Sequence, residues 1–288
     1  LLGFLQKHPD HAGRIGRNAR RFALMHSWDE IARRYGAVFN DEAIRSESFH
    51  LVTVATRGYE DALRRLLPSW VANSGASSIT VFSHEEIHGL PDGVKNVVGL
   101  SDPQNWVQGC MFKAAALAEF IEKRDNGERI VFVDGDCAIL GDLRPLVAGR
   151  EDLALTRFAV DPARYPRCAG TCSSGVVGIR VNQRTRSFVN LWDAAQACYA
   201  AYGHGIKPGK VACDQYYLTD LARGRACGVT VRAMDERIWD SNPETTDAAW
   251  LAEIAAQRPA VLHFKGGRWK NEDDVRRAIA AATQGERA

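Results

Sequence analysis

From residue 48 onward, short apolar runs alternate with longer stretches in which apolar side chains recur every three or four positions. The short runs fit strands and the spaced stretches fit helices, which is the form taken by strands joined through crossover helices in a mainly parallel sheet. The pattern predicts strands at 51–55, 78–82, 129–133, 152–156, 175–181 and 260–264, with helices at 59–72, 110–123, 186–202 and 212–223. A turn is expected at 141–143, where Gly-Asp-Leu interrupts the apolar sequence. Residues 1–40 read differently. Phe22, Leu24, Ile31, Tyr35 and Val38 are separated by basic residues at helical spacing, and Ser27-Trp-Asp-Glu30 fits a capping box. The expected organisation is a helical extension and linker over 1–47, followed by one large α/β domain over 48–288.

Composition supports a packed core and excludes several classes of function. Hydrophobic residues make up 45% and charged residues 25% of the 288 positions, ordinary proportions for a globular chain. Lys and Arg total 37 against 35 Asp and Glu, and the basic residues are scattered, with short clusters only at Arg20-Arg21 and Arg33-Arg34, so no nucleic-acid-binding stripe is expected. No apolar stretch approaches the roughly 20 residues of a membrane span, and no leader is recognisable, which makes the cytoplasm the expected compartment. Seven cysteines at 110, 137, 168, 172, 198, 213 and 227 read as buried thiols in a reducing compartment. Cys168 and Cys172 lack a second Cys or His pair at zinc-ligand spacing. The start at Leu-Leu-Gly, without Met, suggests a piece of a longer chain.

Two segments carry the candidate chemistry. Asp134-Gly-Asp136 follows the most apolar run, so its carboxylates are expected at the carboxyl end of a strand, where open α/β sheets bind their ligands. Such a pair can hold one hard cation, which in turn can hold the oxygens of a diphosphate; it can equally form a turn whose aspartates cap backbone amides. Val261-Leu-His-Phe-Lys-Gly-Gly-Arg-Trp-Lys270 places His263 at a strand end, followed by glycines and three cations, as a third metal ligand beside a phosphate-gripping loop would require. A structural His and solvated cations are the alternative.

The order of motifs over about 50–270 resembles that of GT-A nucleotide-diphospho-sugar glycosyltransferases, including glycosyltransferase family 8 and its relatives. The matching segments are Thr53-Val-Ala-Thr-Arg-Gly-Tyr59 after the first strand, Lys113 in Cys-Met-Phe-Lys-Ala-Ala-Ala-Leu, and Asp134-Gly-Asp136 with Gly-Asp-Leu after it. Ser173-Ser-Gly-Val-Val-Gly-Ile179, Asp214-Gln215 and the His263 to Gly266 loop follow in order. Separately, Asn18-Ala-Arg-Arg-Phe22 and His26-Ser-Trp-Asp-Glu-Ile-Ala-Arg-Arg-Tyr35 resemble the last helices of GT-B glycosyltransferases, which implies fusion to an upstream transferase domain. An unrelated amphipathic hairpin is the other reading of that segment.

The resemblance implies a GT-A (Rossmann-like) fold and transfer of a sugar, with a UDP-sugar as the favoured donor, to a glycan, lipid-linked or protein acceptor. It implies Mn²⁺ or Mg²⁺ held by Asp134, Asp136 and His263. Ala55, Thr56, Arg57 and Tyr59 would border the base and ribose, together with Lys113, Asp134 and Gly135 on the nucleotide. Ser173, Ser174 and Gly175 would line the sugar pocket, and Lys265, Gly266, Arg268 and Lys270 would approach sugar or diphosphate. Asp214 and Gln215 would lie at the reacting carbon, in a motif that resembles retaining enzymes. Two departures stand out: Trp269 lies between Arg268 and Lys270 where the family usually has a Lys and Pro-Trp, and Thr-Arg-Gly-Tyr lacks the acidic residue many relatives place beside the base. Acceptor contacts are expected from loops at 102–109, 159–171 and 202–210, with Trp106, Tyr165 and Tyr202 available to stack on sugars. Bacterial surface polysaccharide assembly is the setting the resemblance suggests. Two rival functions remain: a haloacid dehalogenase-type phosphatase using Asp134 and Asp136, with Ala138 where that class wants Thr or Val, and a non-catalytic nucleotide-sugar-binding domain.

Overall fold

The computed structural model describes residues 48–56, 58–100, 106–157, 172–202, 214–241, 248–265 and 271–283. The helices expected within 1–40 and the loops at 102–105, 159–171 and 203–210 lie outside the described residues, as do Arg57, Gly266, Arg268 and Lys270. No helix among the described residues is long and apolar enough to cross a membrane.

In chain order the elements begin with strand β1 (His50–Ala55), helix α1 (Glu60–Asn73), β2 (Ser78–Ser83), β3 (Val94–Val98) and α2 (Trp106–Glu122). Next come β4 (Arg129–Val133), β5 (Cys137–Ile139), β6 (Leu153–Arg157), β7 (Cys172–Arg180), α3 (Gln183–Tyr202) and α4 (Asp214–Arg223). The rest are β8 (Val231–Asp235), the single turn α5 (Glu236–Trp239), α6 (Ala248–Gln257), β9 (Val261–His263) and α7 (Glu272–Thr283). Seven strands form one sheet in the order β3-β2-β1-β4-β7-β6-β8, in which β7 alone runs antiparallel to its neighbours. This is the expected mainly parallel α/β sheet. β5 and β9 form a separate two-stranded antiparallel ribbon.

Strand alternation sends apolar side chains to both faces of the sheet. Val52, Ile130 and Phe132 pack with Leu117, Ile121, Phe188, Trp192 and Leu218 from α2, α3 and α4 on one face. Leu51, Val81, Val131 and Val133 pack with Leu63, Leu67 and Trp70 of α1 on the other. The long helix α3 starts at a reciprocal cap, in which Asn182 Oδ1 accepts from Thr185 N at 3.0 Å and Thr185 Oγ1 accepts from Asn182 N at 2.9 Å.

α1 also holds the ribbon. Trp70 Nε1 donates to Cys137 O at 2.7 Å and Asn73 Nδ2 donates to Ile139 O at 2.8 Å, while Ile139 N donates to Ser69 Oγ at 3.1 Å. These bonds satisfy the edge of β5 that faces away from β9, so a strand of three residues is fixed on both sides.

The sequence pattern missed β3, β5, β8, α6 and α7. β3 and β8 are the outer strands of the sheet, half exposed along their length, and carry Lys95, Asn96 and Arg232 among their apolar residues. β7 begins at Cys172, earlier than its expected start at 175, because the polar pair Ser173-Ser174 is buried within it.

One buried carboxylate ties the far end of the sheet together. Asp152 accepts from Asn182 Nδ2 at 2.6 Å, from Arg184 Nε and a terminal nitrogen at 2.9 Å each, and from Thr230 N at 2.8 Å. Burial raises its pKa, but the bonds from Arg184, Thr230 and Asn182 outweigh burial and hold it below the ordinary carboxylate range. A folded-state pKa depressed in this way stabilises the fold above the unfolded pKa of about 3.9, and the benefit fades as pH falls through the folded value. Asp152→Ala is expected to cost about 2–4 kcal/mol at neutral pH. Urea denaturation across a pH series should show the gap between wild type and variant constant above about pH 5 and shrinking below about pH 4.

Candidate active site

The site lies where β4 ends. Asp134 N donates to Gly175 O of neighbouring β7 at 2.8 Å, and Cys137 N donates to Asp134 O at 3.1 Å, so Asp134-Gly-Asp136 is the tight turn between β4 and β5. Pairing of β5 with β9 sets Cys137 opposite His263, and Phe264 N donates to Asp136 O at 3.0 Å. This register brings a histidine from the end of the domain onto the turn. His263 Nε2 lies 3.1 Å from Asp136 Oδ1 and 3.6 Å from Asp134 Oδ2. Asp136 and His263 are 5% and 3% exposed, and Asp136, Cys137 and His263 offer ligand atoms within 4.8 Å of one another.

A second polar cluster adjoins the first. α2 presents Ala114, Leu117 and Ile121 to the core, and on the same side of the helix Lys113 meets the carboxyl ends of the strands. Its Nζ lies 2.8 Å from Asp134 Oδ2, 3.0 Å from Asp214 Oδ2 and 3.2 Å from Ser174 Oγ. Burial lowers the Lys113 pKa, yet Asp134 and Asp214 outweigh it and hold the ammonium well above its ordinary value. Asp214 opens α4, and its carbonyl accepts from Trp192 Nε1 at 3.1 Å. Gln215 is half-buried in the same first turn.

Behind His263 lies a residue the sequence pattern did not single out. Asp240 is fully buried, and its Oδ1 is 2.6 Å from His263 Nδ1 while its Oδ2 is 3.3 Å from Lys265 Nζ. Burial raises its pKa, but Lys265 and His263, with hydrogen bonds from His263 and Ser173, drive it far below the carboxylate range. With Nδ1 engaged by this carboxylate, Nε2 is the ring nitrogen that faces Asp134 and Asp136. Burial lowers the His263 pKa, whereas Cys137, Asp136 and Asp240 raise it, and the net shift is well upward. Burial pushes the Cys137 thiol up to about 12, so it is uncharged at neutral pH and the carboxylates carry the effect. Asp134 is also raised, first by burial, against the opposing pull of Lys113 and His263.

The donor set fits a divalent cation. Neighbouring ligands on a hard octahedral cation with bonds of about 2.1 Å lie about 3 Å apart, close to the separation of His263 Nε2 and Asp136 Oδ1. Among the described residues, the four carboxylates of Asp134, Asp136, Asp214 and Asp240 face the ammoniums of Lys113 and Lys265. The carboxylates outnumber the ammoniums by two, and the imidazole of His263, whose pKa is raised, offsets only part of that excess.

An open cleft lies beside the turn, lined by Val54, Thr56, Tyr59, Cys110, Lys113, Asp134, Gly135 and Asp136. The cleft therefore gathers Thr56, Tyr59, Lys113, Asp134, Gly135 and Asp136 from the sequence-derived set. Burial, then Asp136, Cys110 and Asp134, push the Tyr59 hydroxyl up to about 12. Ala55 is fully buried in the core, so only its main chain could border a ligand. Ser173, Ser174 and Gly175 are buried beneath the cleft: Ser173 bonds Asp240, Ser174 accepts from Lys113, and Gly175 backs His263. Lys265 is paired with Asp240.

No protein-family model matches the chain, and no curated protein matches its sequence. Solved structures do. A glycosyltransferase involved in glycosylation of the major capsid of PBCV-1 superposes with a TM-score of 0.50 at 10% identity, over 80% of this chain and 98% of that one. The galactosyltransferase LgtC, solved with donor and acceptor sugar analogues, gives 0.49 at 15% identity over 80% and 95%. Mouse xyloside xylosyltransferase 1 gives 0.47 at 12% over 77% and 99%. At such identity the likeness to the capsid-glycosylating enzyme concerns the fold, which is of the GT-A type.

Gly175 gives a direct check of the packing behind the site. A Cβ there would lie 2.5 Å from His263 Cε1 and Nδ1 and 3.0 Å from Asp240 Oδ1, all buried. Gly175→Ala is expected to cost about 1–3 kcal/mol in urea denaturation and to displace the imidazole from Asp136 in a crystal structure. A variant as stable as wild type with the imidazole unmoved would contradict this packing.

Proposed function

We propose that the chain is a metal-dependent glycosyltransferase that moves a sugar from a UDP-sugar to an acceptor hydroxyl with retention at the anomeric carbon. The observation that supports this best is the meeting of the Asp134-Gly-Asp136 turn with His263, more than a hundred residues later in the sequence, beside an open cleft in a GT-A-type fold. Asp134, Asp136 and His263 would hold Mn²⁺ or Mg²⁺. When bound, the cation supplies positive charge to the nucleoside diphosphate as it leaves.

The protein's own groups do the rest. Tyr59 and Thr56 form the wall against which a base and ribose can lie, with the Tyr59 ring offered for stacking. Lys113 holds the carboxylates of Asp134 and Asp214 in place. Asp214 is 2% exposed and already paired, a poor general base, which favours retention, with the acceptor proton passing to the departing diphosphate, over inversion by a carboxylate base. Gln215, in the next position, is the group left to face the sugar. In the reaction the bond from the anomeric carbon to the diphosphate breaks and a bond to the acceptor oxygen forms on the same face. The acceptor is a glycan, a lipid-linked sugar or a protein, and the expected setting is the cytoplasmic side of surface polysaccharide assembly, with a GT-B domain upstream.

The phosphatase reading is less well supported. Lys113 Nζ lies 2.8 Å from each oxygen of Asp134, and a carboxylate held at both oxygens is a poor nucleophile. In addition β4 is preceded in the chain by three strands of the sheet.

Screening UDP-, GDP- and CMP-sugars with Mn²⁺ for binding and slow donor hydrolysis tests the proposal. UDP-sugar turnover should vanish with a chelator, return with Mn²⁺, and fall by roughly a hundredfold or more in Asp136→Ala. Turnover that survives Asp136→Ala would refute the assignment, and donor binding without transfer or hydrolysis would favour a non-catalytic binding domain.

A further inference from the structure

We infer that Asp240 is a positioning residue for the cation site, engaging His263 through Nδ1 so that Nε2 is the nitrogen presented to a cation between Asp134 and Asp136. The inference rests on the cation-binding reading above and adds to it a residue that no motif in the sequence marks.

The backbone places Asp240 with little freedom. It ends the single turn α5, where its N–H donates to Glu236 O at 2.9 Å. The next residue, Ser241, forms a parallel bridge to Leu262: Ser241 N donates to Val261 O at 3.0 Å, and His263 N donates to Ser241 O at 2.8 Å. Asp240 is thus registered beside His263 by main-chain bonds on both sides of the contact.

The side chain is then surrounded by donors. His263 Nδ1 lies 2.6 Å from Oδ1, Lys265 Nζ lies 3.3 Å from Oδ2, and Ser173 contributes a third bond. An ionised carboxylate is an acceptor at both oxygens and can serve all three. An amide has one accepting oxygen, and the Lys265 ammonium competes for it. With that oxygen turned to Lys265, the amide NH₂ faces Nδ1, which must then accept, and the proton moves to Nε2, where it points at Asp136 and blocks a cation. Gly175 packs against the ring and leaves it no room to move toward that side, since even one added carbon there would lie 2.5 Å from Cε1 and Nδ1.

The test is Mn²⁺ affinity of the whole chain, read from the electron paramagnetic resonance signal of free Mn²⁺, with far-UV circular dichroism giving the folded fraction. Asp240→Asn keeps the volume of the side chain and is expected to weaken Mn²⁺ binding by roughly 10–100-fold. Adding Lys265→Met removes the competing charge and frees the amide oxygen for Nδ1–H, so the Asp240→Asn/Lys265→Met double variant should recover most of the lost affinity. Asp240→Leu/Lys265→Met, equally neutral but without an acceptor, should not. The two doubles decide the matter even if the single variant folds poorly. Equal affinity in the two doubles, or wild-type affinity in Asp240→Asn, with binding lost in Asp136→Ala, would overturn the role of Asp240 alone. Undiminished binding in Asp136→Ala would instead overturn the cation site and this inference with it.

Discussion

Four carboxylates gathered at one end of a sheet, three of them buried and Asp134 half-buried, are the constraint on which the site depends. Burying an ionised carboxylate without compensation is costly, so Asp134, Asp136, Asp214 and Asp240 can persist only with partners. The chain provides them in two groups, Lys113 between Asp134 and Asp214, and the His263–Asp240–Lys265 line behind Asp136. The compensation is incomplete, because among the described residues four carboxylates face two ammoniums and one imidazole. Under the proposed function, a divalent cation would take up that surplus.

The fold serves this centre through short, well-satisfied elements. β4 supplies a rigid base, the Asp-Gly-Asp turn reverses the chain, and a ribbon of two three-residue strands delivers His263 from the far end of the domain. Such a ribbon would be marginal alone. Trp70, Asn73 and Ser69 of α1 close its outer edge, and Leu262 and Phe264 pack with Ile254, Val275 and Ala278 on its other side. Packing and main-chain bonds therefore set the position of the histidine before any ligand arrives, as preorganisation for charge stabilisation requires.

The parts legible in the sequence were those with a strong local signal. The run Ile130 to Val133 is buried on both faces of the sheet and reads as a strand from its composition, and Asp134 and Asp136 stand out because charges follow it at once. His263 was legible because it ends a similar run. Asp240 was not: it follows a single helical turn, lies in no apolar pattern, and gains its role from a bridge to a strand some twenty residues later. The clue available was its place in Trp239-Asp240-Ser241, a charge against an aromatic residue. Ser173 and Ser174 were read as lining a pocket, as their polarity suggests, whereas they serve the buried charges from within a strand. Polarity alone does not tell a group that meets a ligand from one that satisfies a buried partner.

Anomalous diffraction at the manganese edge, from crystals grown with Mn²⁺ and UDP, measures the central claim most directly. The account predicts a single strong peak within bonding distance of Asp134, Asp136 and His263 Nε2, with the diphosphate on its open side. A peak elsewhere, or none while UDP occupies the cleft, would contradict it.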